Sequence, residues 1–180
     1  MTRGIGIAGM ALVAAVVAAA GAGCGDDDGG GDGRQAYVDA FVASGSDEAL
    51  SDDENECFAA AIVDAVGVDK LREQVTAEDV RDAEDALPGD LGIEVSEDEG
   101  EAFYDGVSEC LDVPEYFATQ IEADDSLTAE NKACLREAFG EDFLHDFYVT
   151  LYIGGADGFQ ADSDLMDHIQ SAYEGCNVTL

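Results

Sequence analysis

The stretch LSDDENECFAAAI, Leu50 to Ile62, decides the fold. Its Ser51 is followed three residues later by Glu54, which is the spacing of a capping box at a helix N-terminus. Apolar residues and Cys57 then recur at helical spacing, and Gly67 is typical of a helix end. The stretch therefore predicts an amphipathic helix with a cysteine near its apolar face.

The same pattern returns in LTAENKACLREAF, Leu127 to Phe139, with Thr128 and Cys134 in matching places. Runs of apolar residues joined by hairpin turns, typical of β-sheets, are not found. Further helices are predicted over 34–44, from Thr76 to near Leu87, from Ser96, from Pro114, over 141–153 and from Asp162 or Ser163 to Tyr173. The sequence predicts a small all-α domain. The repeat reflects either amphipathic patterning alone or two pseudo-repeated units, 34–113 and 114–180.

The chain begins with a leader-like segment. Arg3 precedes Ile5 to Ala22, a stretch of small and apolar residues that carries no charge. This arrangement is typical of a secretory signal peptide. Because a helix of that length spans only about 27 Å, an uncleaved membrane anchor is the weaker alternative.

Ala22-Gly23-Cys24 closes this segment and resembles the lipobox of bacterial lipoproteins. The acidic, Ala- and Gly-rich chain as a whole is similar to actinobacterial membrane lipoproteins. The resemblance implies a signal peptide over 1–23, a diacylglyceryl group on Cys24, and an extracytoplasmic protein attached to the cell membrane by this lipid. Ordinary signal peptidase cutting after Ala22 is the alternative.

The cysteine count agrees with lipidation. The chain has five cysteines, and an odd number leaves one unpaired in an oxidising compartment. If Cys24 carries lipid, four remain, and four cysteines allow three connectivities. The repeat favours a bridge within each half, which predicts the disulfides Cys57–Cys110 and Cys134–Cys176.

Aspartate and glycine alone fill Gly25 to Gly33. Such a segment cannot bury apolar surface, so we predict a flexible acidic linker over 24–33, ahead of a domain over 34–180. A calcium-binding loop starting at Asp26 is disfavoured, because Gly30 and Tyr37 stand where oxygen ligands are needed.

The net charge of −35 limits the partners. It excludes nucleic acid, since no basic patch is present to neutralise phosphates. It favours cationic ligands, divalent-ion contacts or adaptation to salt. No cofactor-binding motif is found, and we expect no cofactor.

Only two histidines are present, His145 and His168. Asp142 and His145 share a helix face, as do Asp164 and His168, so two antiparallel helices could assemble a metal site. Ordinary surface histidines beside abundant aspartates are the favoured alternative, and we expect no dedicated metal site.

No catalytic motif is found, which disfavours an enzyme. The sequence favours a cell-surface binding module for an unknown protein or small molecule. The alternatives are a hydrolase that uses acidic residues without a recognised motif, and an envelope spacer whose acidity is salt adaptation. The aromatic helix from Phe139 to Tyr152 is predicted to be central and buried.

Overall fold

The computed structural model describes residues 30–45, 47, 49–83 and 86–178. Over this part the protein is all-helical, with nine helices and no strand. The leader, Cys24 and most of the predicted linker lie outside the described residues. The helices are α1 Gly30–Gly45, α2 Asp52–Val66, α3 Val68–Gln74, α4 Ala77–Asp82, α5 Glu97–Cys110, α6 Val113–Ala123, α7 Ala129–Ala138, α8 Glu141–Ala161 and α9 Ser163–Gly175.

Local capping signals begin four of these helices at the residues that the sequence predicts. Ser51 accepts a hydrogen bond from the Glu54 backbone, and the Glu54 carboxylate accepts one from the Ser51 backbone. Reciprocal boxes of the same kind begin α4 at Thr76, α5 at Ser96 and α7 at Thr128. Each box satisfies backbone N–H groups that a helix N-terminus leaves without intrahelical partners.

Helices α1 and α4 each differ from the predictions at one end. Helix α1 begins at Gly30 instead of Arg34, so the last four residues of the predicted linker are helical. Adding a turn to an existing helix has a low free-energy cost, because each added residue gains a backbone hydrogen bond without a new nucleation step. Helix α4 ends at Asp82 rather than near Leu87, since the chain turns to bury Ala86 and Pro88.

Both predicted disulfides are present. Cys57 on α2 is bonded to Cys110 at the end of α5, and Cys134 on α7 is bonded to Cys176 just after α9. Each predicted half therefore has its own bridge between two helices. The bridges fix the α2–α5 and α7–α9 pairs.

One hydrophobic core nevertheless runs through both halves. Phe103 of α5 stacks on Tyr152 of α8 with ring centroids 4.0 Å apart. The buried Tyr152 hydroxyl donates a 3.0 Å hydrogen bond to the Ile62 carbonyl of α2. The predicted burial of the aromatic helix is thus confirmed at Tyr152, its last predicted residue, whereas Phe147 and Tyr148 are only half-buried. The two halves share a core instead of folding around separate ones.

Helix α8 is interrupted at Gly155. The sequence predicts a helix end at Gly154-Gly155, but the chain resumes helical geometry and continues to Ala161. Gly155 has φ +61°, which glycine adopts without strain, and Asp90 accepts a 2.9 Å hydrogen bond from the Ala156 backbone N–H. Asp90 thus caps the second part of α8, from a turn distant in the sequence.

Candidate functional site

An open groove of about 750 Å³ lies where α5, α8 and α9 meet. Six carboxylates line it, and the described residues of its lining include no Lys or Arg. We call it the acidic groove. Its charged residues are Glu97 and Glu101 of α5, Asp142 and Asp146 of α8, and Asp162 and Asp164 at the start of α9.

Helical spacing places these carboxylates in rows. Glu97 and Glu101 are four residues apart on α5, and Asp142 and Asp146 are four apart on α8. Residues at this spacing lie on one helix face, about 6 Å apart along the axis. Two walls of the groove therefore each carry a pair of negative charges with similar separation.

We call the apolar residues of the lining the floor of the groove. It consists of Phe143, Val149, Ile153 and Leu165, with Thr150 beside them. Helix α5 approaches this floor at Gly100, where an added Cβ would lie 2.9 Å from Ile153 Cδ1. Glycine at this position lets the two carboxylate walls stand close to a common apolar surface.

The kinked part of α8 forms one end of the groove. Ile153 lies just before Gly155, while Asp162 ends α8 and caps α9 by accepting hydrogen bonds from the Asp164 and Leu165 backbones. The turn at Gly89 packs directly on the kinked backbone. The position of the α9 wall thus depends on a turn between α4 and α5.

His145 is bound between two of the groove carboxylates. Its Nε2 lies 2.8 Å from Glu101 Oε2 and its Nδ1 lies 3.2 Å from Asp146 Oδ1. The Tyr104 ring meets it edge-on, with centroids 4.7 Å apart. Burial lowers the His145 pKa, but the hydrogen bonds and charges of Asp146 and Glu101 outweigh burial, so the pKa is raised above its ordinary value.

His168 lies in a different environment. It lines the groove from α9, with its ring stacked on Phe143 at 4.7 Å. Its Nε2 lies 3.1 Å from the Ala138 carbonyl oxygen. This contact turns one ring nitrogen toward the protein backbone, whereas both nitrogens of His145 face carboxylates.

The structure therefore does not assemble the four candidate metal ligands into a metal site. Asp142, Asp164 and His168 line the groove, whereas His145 is held by Glu101 and Asp146. Within the described residues, no group of three or more His, Cys, Asp or Glu side chains is placed to hold a metal ion. The groove carboxylates are thus spread along the helices instead of gathered around one point.

Sequence reasoning missed Glu97, Glu101 and Asp162 as groove residues. The spacing of Glu97 and Glu101 was a usable signal, because it places both on one face of α5. Their approach to α8 was not readable from the sequence, since it depends on the packing of Gly100 against Val149 and Ile153.

Two smaller grooves are less suited to a charged ligand. One, of about 440 Å³, lies beside the Cys57–Cys110 bridge, where Arg34 pairs with Asp64 at 2.6 Å. The other, of about 490 Å³, contains Arg136. Both thus contain an Arg or an Arg-paired carboxylate in their walls, whereas the described residues that line the acidic groove include no Lys or Arg.

Comparison with protein-family models, with curated proteins and with solved structures finds no match to this chain. Among the described helices, none is both long and apolar enough to cross a membrane.

Proposed function

We propose that this protein is a lipid-anchored extracytoplasmic binding protein whose acidic groove takes a linear organic polycation. The observation that carries the proposal is the lining of the groove: six carboxylates beside an apolar floor, with no Lys or Arg in the part of the lining that the structure describes. Ammonium groups would pair with the carboxylates, while the methylene stems between them cover Phe143, Val149 and Ile153.

The spacing of the carboxylates favours an extended ligand over an inorganic ion. A divalent cation needs several oxygen ligands within about 2.0–2.6 Å of one point. The pairs Glu97 and Glu101, and Asp142 and Asp146, instead repeat at about 6 Å along their helices. Positive charges separated by short methylene chains match this repeat better than a point charge does.

Attachment to the membrane is proposed from the leader and from the position of α1. Cys24 is the residue expected to carry lipid, and α1 begins at Gly30. The chain between them reaches at most about 20 Å when fully extended. The domain would then remain close to the membrane surface, where it meets cationic solutes of the envelope.

The triamine spermidine is a suitable probe for the groove. Isothermal titration calorimetry on the intact, detergent-extracted protein at pH 7.5 should give one saturable site. The variant E97Q/D142N removes one charge from each of two walls. An ion pair 4 Å apart contributes about 1 kcal/mol in water, so the loss of two such pairs should weaken spermidine binding by roughly tenfold or more.

A matched variant separates the groove from the general acidity of the chain. E78Q/E130Q removes the same charge from exposed residues that also lie in first helical turns, on α4 and α7, outside the groove. It should bind spermidine within about twofold of the wild type, because screening limits distant charges. Equal weakening by both variants, or no saturable binding at all, would favour a spacer whose acidity is salt adaptation.

The anchor has an independent test. Intact mass spectrometry of the membrane-extracted protein should find an N-terminus at Cys24 that carries a diacylglyceryl group. Replacing Cys24 by Ser should block this processing or release the protein from the membrane, since two acyl chains are what hold it there. A mature N-terminus at Gly23, or an unmodified Cys24, would refute the anchor without bearing on the groove.

A further inference from the structure

The two ring nitrogens of His145 both face carboxylates that line the acidic groove. Nε2 lies 2.8 Å from Glu101 and Nδ1 lies 3.2 Å from Asp146. An ionised carboxylate only accepts hydrogen bonds, and a neutral imidazole has a single N–H. Both contacts can therefore be hydrogen bonds to ionised carboxylates only when His145 is protonated.

The surroundings of His145 favour that protonated form. The neighbouring acidic groups raise its pKa, although burial acts in the opposite direction. The titratable groups around it are Glu101 and Tyr104 on α5, Glu141, Asp142 and Asp146 on α8, and His168 on the α9 side of the groove. All of these groups except His168 are carboxylic acids or phenols, which carry no positive charge near neutral pH.

We propose that protonated His145 competes with the cationic ligand for Glu101 and Asp146, so that the groove binds its ligand more weakly as the pH falls. This inference rests on the proposed function. When His145 loses its proton, one ring nitrogen presents a lone pair to a carboxylate, and that contact is lost. The released carboxylate then faces the groove, whose charge is more negative by one.

The size of the effect follows from one charge beside the ligand. A unit charge about 7 Å from an ammonium group in a water-filled groove changes the affinity by roughly three- to tenfold. Because coupling is reciprocal, saturating ligand must lower the His145 pKa by the same factor, about half to one pH unit.

The experiment measures both sides of this coupling on the intact protein in detergent. Spermidine affinity is determined by calorimetry between pH 5.5 and 7.5, at constant ionic strength, for the wild type, H145Q and H168Q. Over this range carboxylates of ordinary pKa stay ionised and the amines stay protonated. The His145 ring is titrated by NMR with and without saturating spermidine, and H145Q assigns its signal.

Wild-type affinity should rise roughly three- to tenfold across this range. H145Q should show a markedly smaller rise, because the part of the pH dependence that His145 supplies is absent. H168Q should keep the pH dependence, because Nε2 of His168 faces the Ala138 carbonyl instead of a carboxylate.

Two results would overturn the inference while leaving the proposed function intact: spermidine binding in H145Q that follows pH as in the wild type, or a His145 titration that saturating spermidine does not move. If spermidine does not bind wild type or H145Q at any pH, the proposed function itself fails.

Discussion

Replacing Gly89 by Ala tests how the α8 kink is held. A Cβ at residue 89 would lie 2.2 Å from the Gly155 nitrogen, 2.5 Å from the Gly154 carbonyl carbon and 2.8 Å from the Ile153 carbonyl oxygen. All three are backbone atoms, so no side chain can rotate away to make room. Either the 88–92 turn or the kinked helix must move.

The expected cost is that of overpacking against a rigid neighbour. Inserting a methyl group into a filled space costs about 1–3 kcal/mol, and backbone neighbours place this change toward the upper part of that range. A loss of about 2 kcal/mol lowers the melting temperature of a domain this size by roughly 4–8 °C. Since Ile153 is part of the groove floor, spermidine binding should weaken as well.

The assay is thermal unfolding followed by circular dichroism, with Gly158→Ala as the matched control. Gly158 lies in the helical part of α8 beyond the kink, and an added Cβ there meets no atom within 4 Å. This control should melt at or above the wild-type temperature, because alanine is favoured over glycine in helices by about 0.5–1 kcal/mol. If Gly89→Ala melts with the wild type, the described packing of the turn on the kink is wrong.

Three further predictions concern stability. Replacing Cys57 and Cys110 by Ser should lower the free energy of unfolding by about 4 kcal/mol on the chain-entropy argument, which denaturant titration without reductant measures; unchanged stability would contradict a native bridge with a sequence separation of 53. His145→Gln should destabilise the protein at pH 5.5 by less than about 1 kcal/mol, because the side chain is 32 % exposed. The pKa of His145 is higher in the folded than in the unfolded protein, so its stabilising contribution is complete below the unfolded-state pKa. This contribution is lost as the pH rises through the folded-state pKa, so the melting temperatures of H145Q and wild type should converge at pH 9. Sodium chloride should raise the melting temperature gradually, since it screens repulsion in a chain of net charge −35, and a sharp saturation would point to a specific ion site instead.

Much of the fold could be predicted because its signals are local. The Ser51 and Ser96 boxes lie within four residues of sequence, and they begin α2 and α5 as expected. The disulfide pairing was less local, but the repeated Cys57 and Cys134 contexts reduced three connectivities to one, and both bonds are present.

The missed elements lack such signals. Helix α3 has seven residues and buries only Leu71, so it shows no apolar periodicity. Gly67 is both the C-cap of α2 and the residue directly before α3. In the sequence, such a glycine indicates only that a helix ends there. The continuation of α8 past Gly155 depends on Asp90, a cap supplied from 66 residues away.

The site was predictable only in part. Asp142, Asp164 and His168 were singled out from helical spacing, and they do line one groove. The role of His145 was not predicted, because its partner Glu101 lies on α5, 44 residues earlier in the chain. Helix faces can be read from sequence, whereas which faces meet depends on the packing of the whole core.

An NMR titration locates the spermidine site residue by residue. Backbone amide shifts of the isotopically labelled intact protein are followed as spermidine is added at pH 7.5. The saturating shifts should concentrate on α5 near Glu97 and Glu101, on α8 from Asp142 to Ile153, and at the start of α9. Shifts spread evenly over the acidic surface, or centred on the groove beside Cys57 and Cys110, would contradict a ligand site in the acidic groove.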